Sequence, residues 1–438
     1  MTVQASQTVL IIGAGLAGLA TAYHLHQQRY QVTLLEYADW VDGFRTDASD
    51  PTLITFGCHH ETRRMLQELA QGEPLGPDQT IPLEFRLPNG QTTPYQSARL
   101  PGAFQWMMSF FSFQGLSWQD RWRLFSHVEQ IWEQAETLPT DLENRTAEEW
   151  LAATGQSAEA RERIWAPLAQ WLTGNALARL SAATFVQTLS TVFLRDASSA
   201  RLTFHSGTID QRFLTPLKEI LHRNHVRFIP LTEPPHFRFG QGGIQNIRLN
   251  DGTTLEAGWY VSALSYRYLL RLLPERFLTR YAYFAHLTEL QSLSEIVAQL
   301  TVHTTDKLPR LLLLPGKPFH HLTRSPIGSH EVIVRLTGTE TSLLGLADDQ
   351  IIEAAQTELL TLFPGARTDD ITSRKVLRQD DATLLLSPGA GRLRPLQHSP
   401  VPNLLVAGAW TDTGWPTAVE SALVSARRCA DIVTGLPS

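Results

Sequence analysis

The chain has 438 residues, a formal net charge of −6, and 43% hydrophobic against 18% charged residues. That length exceeds one simple core and predicts two domains, with the balance of a soluble globular protein. No basic run or positive charge suits nucleic acid, and Cys58 and Cys429 alone make no disulfide framework, so a reducing, cytoplasmic setting is expected.

The N-terminus lacks a basic segment and has only four apolar residues, Val9 to Ile12, before glycine. It reads as a buried parallel strand rather than a signal peptide. Gly13-Ala14-Gly15-Leu16-Ala17-Gly18 follows, then a helical run from Leu19 to Gln27. Gly13 permits a tight turn, Gly15 lets a pyrophosphate approach, and Gly18 lets helix and strand pack closely. The N–H groups opening that helix, at Leu16 and Ala17, favour an anion. A second strand from Gln31 ends near Glu36, where an acid accepts hydrogen bonds from an adenosine ribose. Strand, fingerprint, helix, strand and acid in register predict a dinucleotide site. No second fingerprint follows: Gly240-Gln241-Gly242-Gly243 reads as a hairpin turn and Gly389-Ala390-Gly391 as a loop.

Phe104–Phe113 (FQWMMSFFSF) is too short to span a bilayer. Three readings stay open for it: peripheral contact with the inner face of a membrane, the lining of an apolar tunnel, or core. Leu116–Ala135 carries Trp118, Trp122, Phe125, Val128, Trp132 and Ala135 at helical spacing, the stripe of a plain core helix, with Ser117 and Asp120 spaced as a capping box. Helices are expected around 146–153, 158–172 and 181–193. Strands are expected at 226–231, within 236–261 with a turn at Asp251-Gly252, at 311–314 and at 332–337. Residues 349–363 read as a helix, with Ile352, Ala355, Leu359 and Leu362 on one face. Leu404–Gly408 reads as a buried strand, Ala409–Trp415 as a loop, and Pro416 opens a helix.

The fold class is therefore α/β. A Rossmann-like domain is assembled from discontinuous segments 1–95, 200–265 and 385–438. A mixed α+β substrate domain with a helical insertion comes from 96–199 and 266–384. A ligand crevice lies between them.

The stretch Leu393-Arg394-Pro395, then Trp410-Thr411-Asp412-Thr413-Gly414-Trp415-Pro416, resembles hydroxysqualene dehydroxylases, within the carotenoid-desaturase and amine-oxidase-like flavoproteins. Phe56-Gly57-Cys58, Gly115-Leu116-Ser117, Trp165-Ala166-Pro167-Leu168 and the N-terminal fingerprint extend the resemblance over nearly the whole chain. It implies bound FAD, an apolar isoprenoid substrate, and reduction of hydroxysqualene to squalene. It also implies flavin contacts at Gly43, Phe44, Arg45, Gly408, Ala409, Trp410 and Pro416, with the N–H groups of Thr417, Ala418 and Val419 toward the flavin N1–C2=O edge. Four positions depart from the family pattern. Ala409 replaces an acid, Phe44 displaces an arginine to Arg45, Gly258 replaces an aspartate and Ser421 replaces a glycine.

A leaving hydroxide needs a proton. His59 and His60 are candidates for an acid or orienting group, against a plain polar helix start. Asp412 is a candidate acid, against a capping role. The adjacent Cys58, His59, His60 and Glu61 do not converge on a metal, and none is expected. Trp410 and Trp415 line a tunnel, touch flavin or pack in the core. Alternative functions are polyene desaturation, or a non-catalytic isoprenoid- or partner-binding relative. Oligomeric state is not legible.

Overall fold

The computed structural model describes residues 7–37, 53–70, 78–87, 89–95, 108, 111–123, 140–195, 198–304, 308–327, 330–339, 341–416 and 418–436. Gly43, Phe44, Arg45 and Thr417 lie outside the described residues, as does most of 104–113.

Strand β1 (Thr8–Ile12) runs parallel between β2 (Gln31–Tyr37) and Trp259–Ser262. Arg227–Leu231 and Leu404–Val406 close the two edges of this five-stranded parallel sheet. Val9 to Ile12 are buried on both faces, as a parallel strand between helical layers requires. Val9 and Ile11 face helix α1 (Leu16–Gln27), Thr215–Arg223 and the C-terminal helix Val419–Thr434; Leu10 and Ile12 face the larger core. The expected Rossmann-like assembly from separated segments is thus present.

A second sheet has seven strands. Its central members are Ser292–His303, Glu331–Gly338, His321–Pro326 and Leu311–Leu313, the first with Ile296, Ala298, Leu300 and Val302 alternating toward one face. Ile296, Ala298, Leu300, Leu322, Val334 and Leu336 pack beneath the helix Asp348–Leu362. That helix buries Ala355, Leu359 and Leu362 as expected, with Ile351 in place of Ile352 completing the buried face. Leu83–Arg86 and Thr92–Tyr95 join this sheet through Leu311–Leu313. These two strands pair with the seven-stranded sheet rather than with the parallel one. A three-stranded antiparallel sheet, β3 (Leu53–Phe56), Leu202–His205 and Gln79–Ile81, lies on the chain path between the two larger sheets.

The helical stretch begins as expected. Thr146 and Glu149 form a capping box at Ala147–Ala153. Asp120 accepts from Ser117 Oγ at 2.5 Å and reaches across to Ser157 N at 2.8 Å, so it links two helix starts. The core reading of the tryptophan stripe fails at two positions: Trp118 is 66% and Trp122 56% exposed. No helix among the described residues is long and apolar enough to cross a membrane.

Candidate functional site

The turn between β1 and α1 is shaped for a bulky anion. Gly13 sits at φ +108°, where a Cβ would lie 2.9 Å from the Ala263 carbonyl oxygen. A Cβ on Gly18 would fall 1.9 Å from the Gly13 oxygen, so the helix can approach only without one. Gly15 is the N-cap of α1, makes no side-chain cap bond, and has no atom within 4 Å of its Cβ position. The N–H groups of Leu16 and Ala17, in the first turn, have no acceptor one turn earlier in the helix. That cradle fits a pyrophosphate. Glu36, on β2, is half-buried and bonded to Lys218 Nζ at 2.5 Å, so this acid is already held by a cation.

The second half of the site is the loop after Leu404–Val406, tied down from three sides. Arg394 donates to Thr411 O at 2.5 Å and to Ala409 O and Trp410 O at 3.3 Å each. Its burial brings the guanidinium down to about 10. Asp412 N donates to Pro395 O at 2.8 Å, and Gln397 Nε2 to Thr411 Oγ1 at 2.9 Å. From the C-terminal helix, Arg428 donates to Asp412 O at 2.8 Å and Ser425 Oγ accepts from Gly408 N at 2.9 Å. Ser421, where the family pattern has glycine, donates to Ala409 O at 3.0 Å and bonds Thr413 Oγ1 at 2.7 Å. The departure at Ser421 therefore fastens the loop that holds Ala409.

Gly408 at φ +151° leaves room for Trp410, whose indole nitrogen lies 2.6 Å from where a Cβ would be. Trp410 is buried and donates to Leu264 O at 3.0 Å, so its side chain belongs to the core and only its backbone faces the loop. The helix begins at Val419, later than the expected Pro416, because Ala418 is extended and acts as an N-cap without a side-chain bond. Ala418 and Val419 are half-buried and Pro416 is buried. Asp412 Oδ1 accepts from Gly414 N at 3.2 Å, a local turn contact.

Sequence reasoning missed Glu420. It is buried in the first turn of the C-terminal helix and accepts from Glu61 N at 3.1 Å, Thr62 N at 2.8 Å and Thr62 Oγ1 at 2.6 Å. One carboxylate thus supplies the missing acceptor at the start of helix α2 (His60–Leu69). Burial raises its pKa, against the three bonds that lower it. A lone acid amid Val419, Ala422 and Leu423 was the available signal.

His59 caps α2 and packs edge-on against Trp415, ring centroids 5.1 Å apart, so these two expected site residues meet. Its Nδ1 accepts from Phe56 N at 3.4 Å, which leaves the proton on Nε2. Burial, with His60 adding, pushes it down to about 3, so it is a neutral imidazole at neutral pH. His60 is exposed on the first turn of α2.

From His59 an aromatic line crosses the molecule. Phe56 lies 5.5 Å from His59 and 6.4 Å from Phe193; Phe193 lies 5.4 Å from Tyr95, and Tyr95 6.3 Å from Phe113. Two residues before Phe113, Phe111 meets Trp118 at 5.6 Å and Trp122 at 6.1 Å, and those two exposed indoles stack. Ring contacts thus run from Trp415 to Phe113, and the Phe111–Trp118–Trp122 cluster lies next along the chain.

Residues 16–434 match the family model of flavin containing amine oxidoreductases. Zeta-carotene desaturase of Synechocystis sp. is 22% identical over 97% of this chain and 96% of its own length. The 15-cis-phytoene desaturase of Glycine max is 23% identical over 97% of this chain and 77% of its own. In fold, an oxidoreductase from Methanosarcina mazei matches with TM-score 0.73 at 15% identity, covering 97% of this chain and 100% of that one. Putrescine oxidase bound to putrescine matches with TM-score 0.70 at 14% identity, over 98% and 99%. With the split cradle at Gly13–Gly18 and the loop at 408–419, these matches identify the cofactor as FAD, and the chain belongs to the flavin containing amine oxidoreductase family.

Proposed function

We propose that this enzyme acts on a long apolar isoprenoid and reductively removes the allylic hydroxyl of hydroxysqualene to give squalene. The observation that carries the substrate class is the aromatic line from Trp415 and His59 through Phe56, Phe193 and Tyr95 to Phe113. Edge-on aromatic rings favour an unsaturated hydrocarbon over a charged amine. The joined LRP and WTDTGWP segments, bonded through Arg394 and Asp412, support the choice of reaction.

Gly13, Gly15, Gly18 and the Leu16–Ala17 amides would hold the pyrophosphate of FAD, Glu36 its ribose, and the 408–419 segment its ring. Reduced FAD supplies a hydride. In the balanced reaction the hydride forms the new C–H bond, the C–O bond breaks, and a proton converts the departing hydroxide to water. His59, neutral with its proton on Nε2, would orient the hydroxyl by donating a hydrogen bond; the apolar walls exclude bulk water. Gly43, Phe44, Arg45, Ala409, Pro416, Thr417, Ala418 and Val419 remain proposed flavin contacts. Asp412 and the exposed His60 remain proposed proton sources.

The exposed Trp118–Trp122 pair, with Phe111 and Met108, would rest at the surface of a membrane that holds the substrate. A second reading, desaturation of a polyene, is favoured by the named activities of the two desaturases matched along the chain.

Anaerobic incubation of photoreduced enzyme with hydroxysqualene, followed by lipid analysis, tests the proposal. Squalene formed in step with flavin reoxidation is expected. A flavin that stays reduced with no squalene overturns it. Oxidised enzyme that gains electrons from a carotene selects the second reading. Loss of vesicle binding in W118S/W122S, with turnover of detergent-dispersed substrate retained, is expected of the membrane contact.

A further inference from the structure

The edge where the seven-stranded sheet meets the three-stranded one carries a feature that the redox site does not use. Arg310 and Arg324 are cross-strand neighbours, just outside the pair Leu311–Thr323, and Arg324 N donates to Arg310 O at 2.9 Å. Like charges at such positions repel and are destabilising unless something lies between them. Neither guanidinium has a carboxylate partner among the described residues.

Arg310 lies 4.4 Å over the ring of Phe204 and donates through Nη2 to Gln79 Oε1 at 3.1 Å, which fixes its plane. Its Nη1, and Nε of Arg324, are buried nitrogens without a hydrogen-bond partner among the described residues. Both groups are half-buried. Burial lowers the pKa of each, and Arg310 lowers that of Arg324 further. Buried donors without acceptors are uncommon in folded proteins and call for an explanation.

We propose that Arg310 and Arg324 form a binding site for a phosphate-class oxyanion, lying between Phe204 and the start of the Leu311–Leu313 strand. A dianion neutralises two positive charges at once, and planar guanidinium forks match tetrahedral oxyanion edges. Phe204 stands opposite Ile54, two residues before Phe56 on β3, so an occupant here would brace the strand that leads to His59.

The test uses FAD-loaded protein at constant ionic strength, so that cofactor phosphates are already in place. Inorganic phosphate and diphosphate are titrated by calorimetry and thermal shift, with chloride as the control ion. Saturable binding of one ion per chain is expected, weakened at least tenfold in R310Q and in R324Q. Binding equal in wild type and both variants, or no binding of either phosphate together with no arginine-dependent vesicle binding, overturns the site. A parallel arm uses phosphatidic acid vesicles against phosphatidylcholine vesicles. Arginine-dependent vesicle binding with no response to free phosphate assigns the oxyanion to a lipid headgroup. R310K and R324K keep the charge, so retained folding with weakened phosphate binding supports fork recognition even where the glutamine variants fold poorly.

Discussion

Replacing Arg394 by methionine probes how the loop at 409–411 is held. Three bonds vanish, of unequal strength. The 2.5 Å bond to Thr411 O has charge-assisted length, whereas those to Ala409 O and Trp410 O, at 3.3 Å, are long. A strong charged bond contributes about 1.5–3 kcal/mol and each long one about 0.5 kcal/mol. Removing a half-buried guanidinium also relieves its desolvation, so the net loss of loop order is about 2–3 kcal/mol. If FAD must restore that order on binding, its affinity falls by at most roughly 30- to 150-fold, at 1.4 kcal/mol per factor of ten. Flavin fluorescence titration of apoprotein reads the affinity, and urea unfolding reads the fold. Arg394→Lys should fall between, because one ammonium cannot bridge three carbonyls as a planar fork does. FAD affinity within twofold of wild type, with an unchanged unfolding midpoint in Arg394→Met, would refute the reasoning.

His24 is buried in α1 with both ring nitrogens lacking hydrogen bonds among the described residues, and burial, aided by Arg427 and Arg64, pushes it down to about 3. The unfolded chain protonates this ring near pH 6.5 and the folded chain does not, so stability is lost as pH falls from 6.5 toward 3, by about 1.4 kcal/mol per pH unit. His24→Leu should remove that share: its urea midpoint advantage should widen between pH 7 and pH 5, and a constant difference would contradict the assignment. Ser421→Gly deletes two buried bonds and inserts glycine in a helix, for an expected loss of about 2–4 kcal/mol in urea unfolding. A neutral Ser421→Gly would show that the hydroxyl does not fasten the loop.

Much of the nucleotide half was legible because its signals are local. Val9 to Gly18 place strand, turn and helix within ten residues, and each glycine answers a steric demand visible in its neighbours. The hairpin at Gly240–Gly243 and the C-terminal strand were legible for the same reason. Two long strands, Ser292–His303 and Ile371–Leu384, were missed. The second is mostly polar and lies at a sheet edge, where burial writes no alternation into the sequence. Trp118 and Trp122 misled because helical spacing shows a shared face without showing what covers it. The partners of Arg394, Ser421 and Glu420 were illegible: each bond joins segments that only the tertiary fold brings together, Glu420 to Thr62 most of all.

The parallel sheet has a consequence for how the protein is made. Helix α1 packs its apolar face against the C-terminal helix, and Tyr30 Oη donates to Val433 O at 3.0 Å across that contact. The chain that separates them is about 400 residues, which a ribosome takes about 20–80 s to add at 5–20 residues per second. Throughout that interval the first βαβ unit stands without the edge strand Leu404–Val406 and without the segment that would meet the flavin ring. Until the last helix is made, Leu19, Ala22 and Leu25 lack the partners Leu423, Ala426 and Ala430 that share their core in the finished fold.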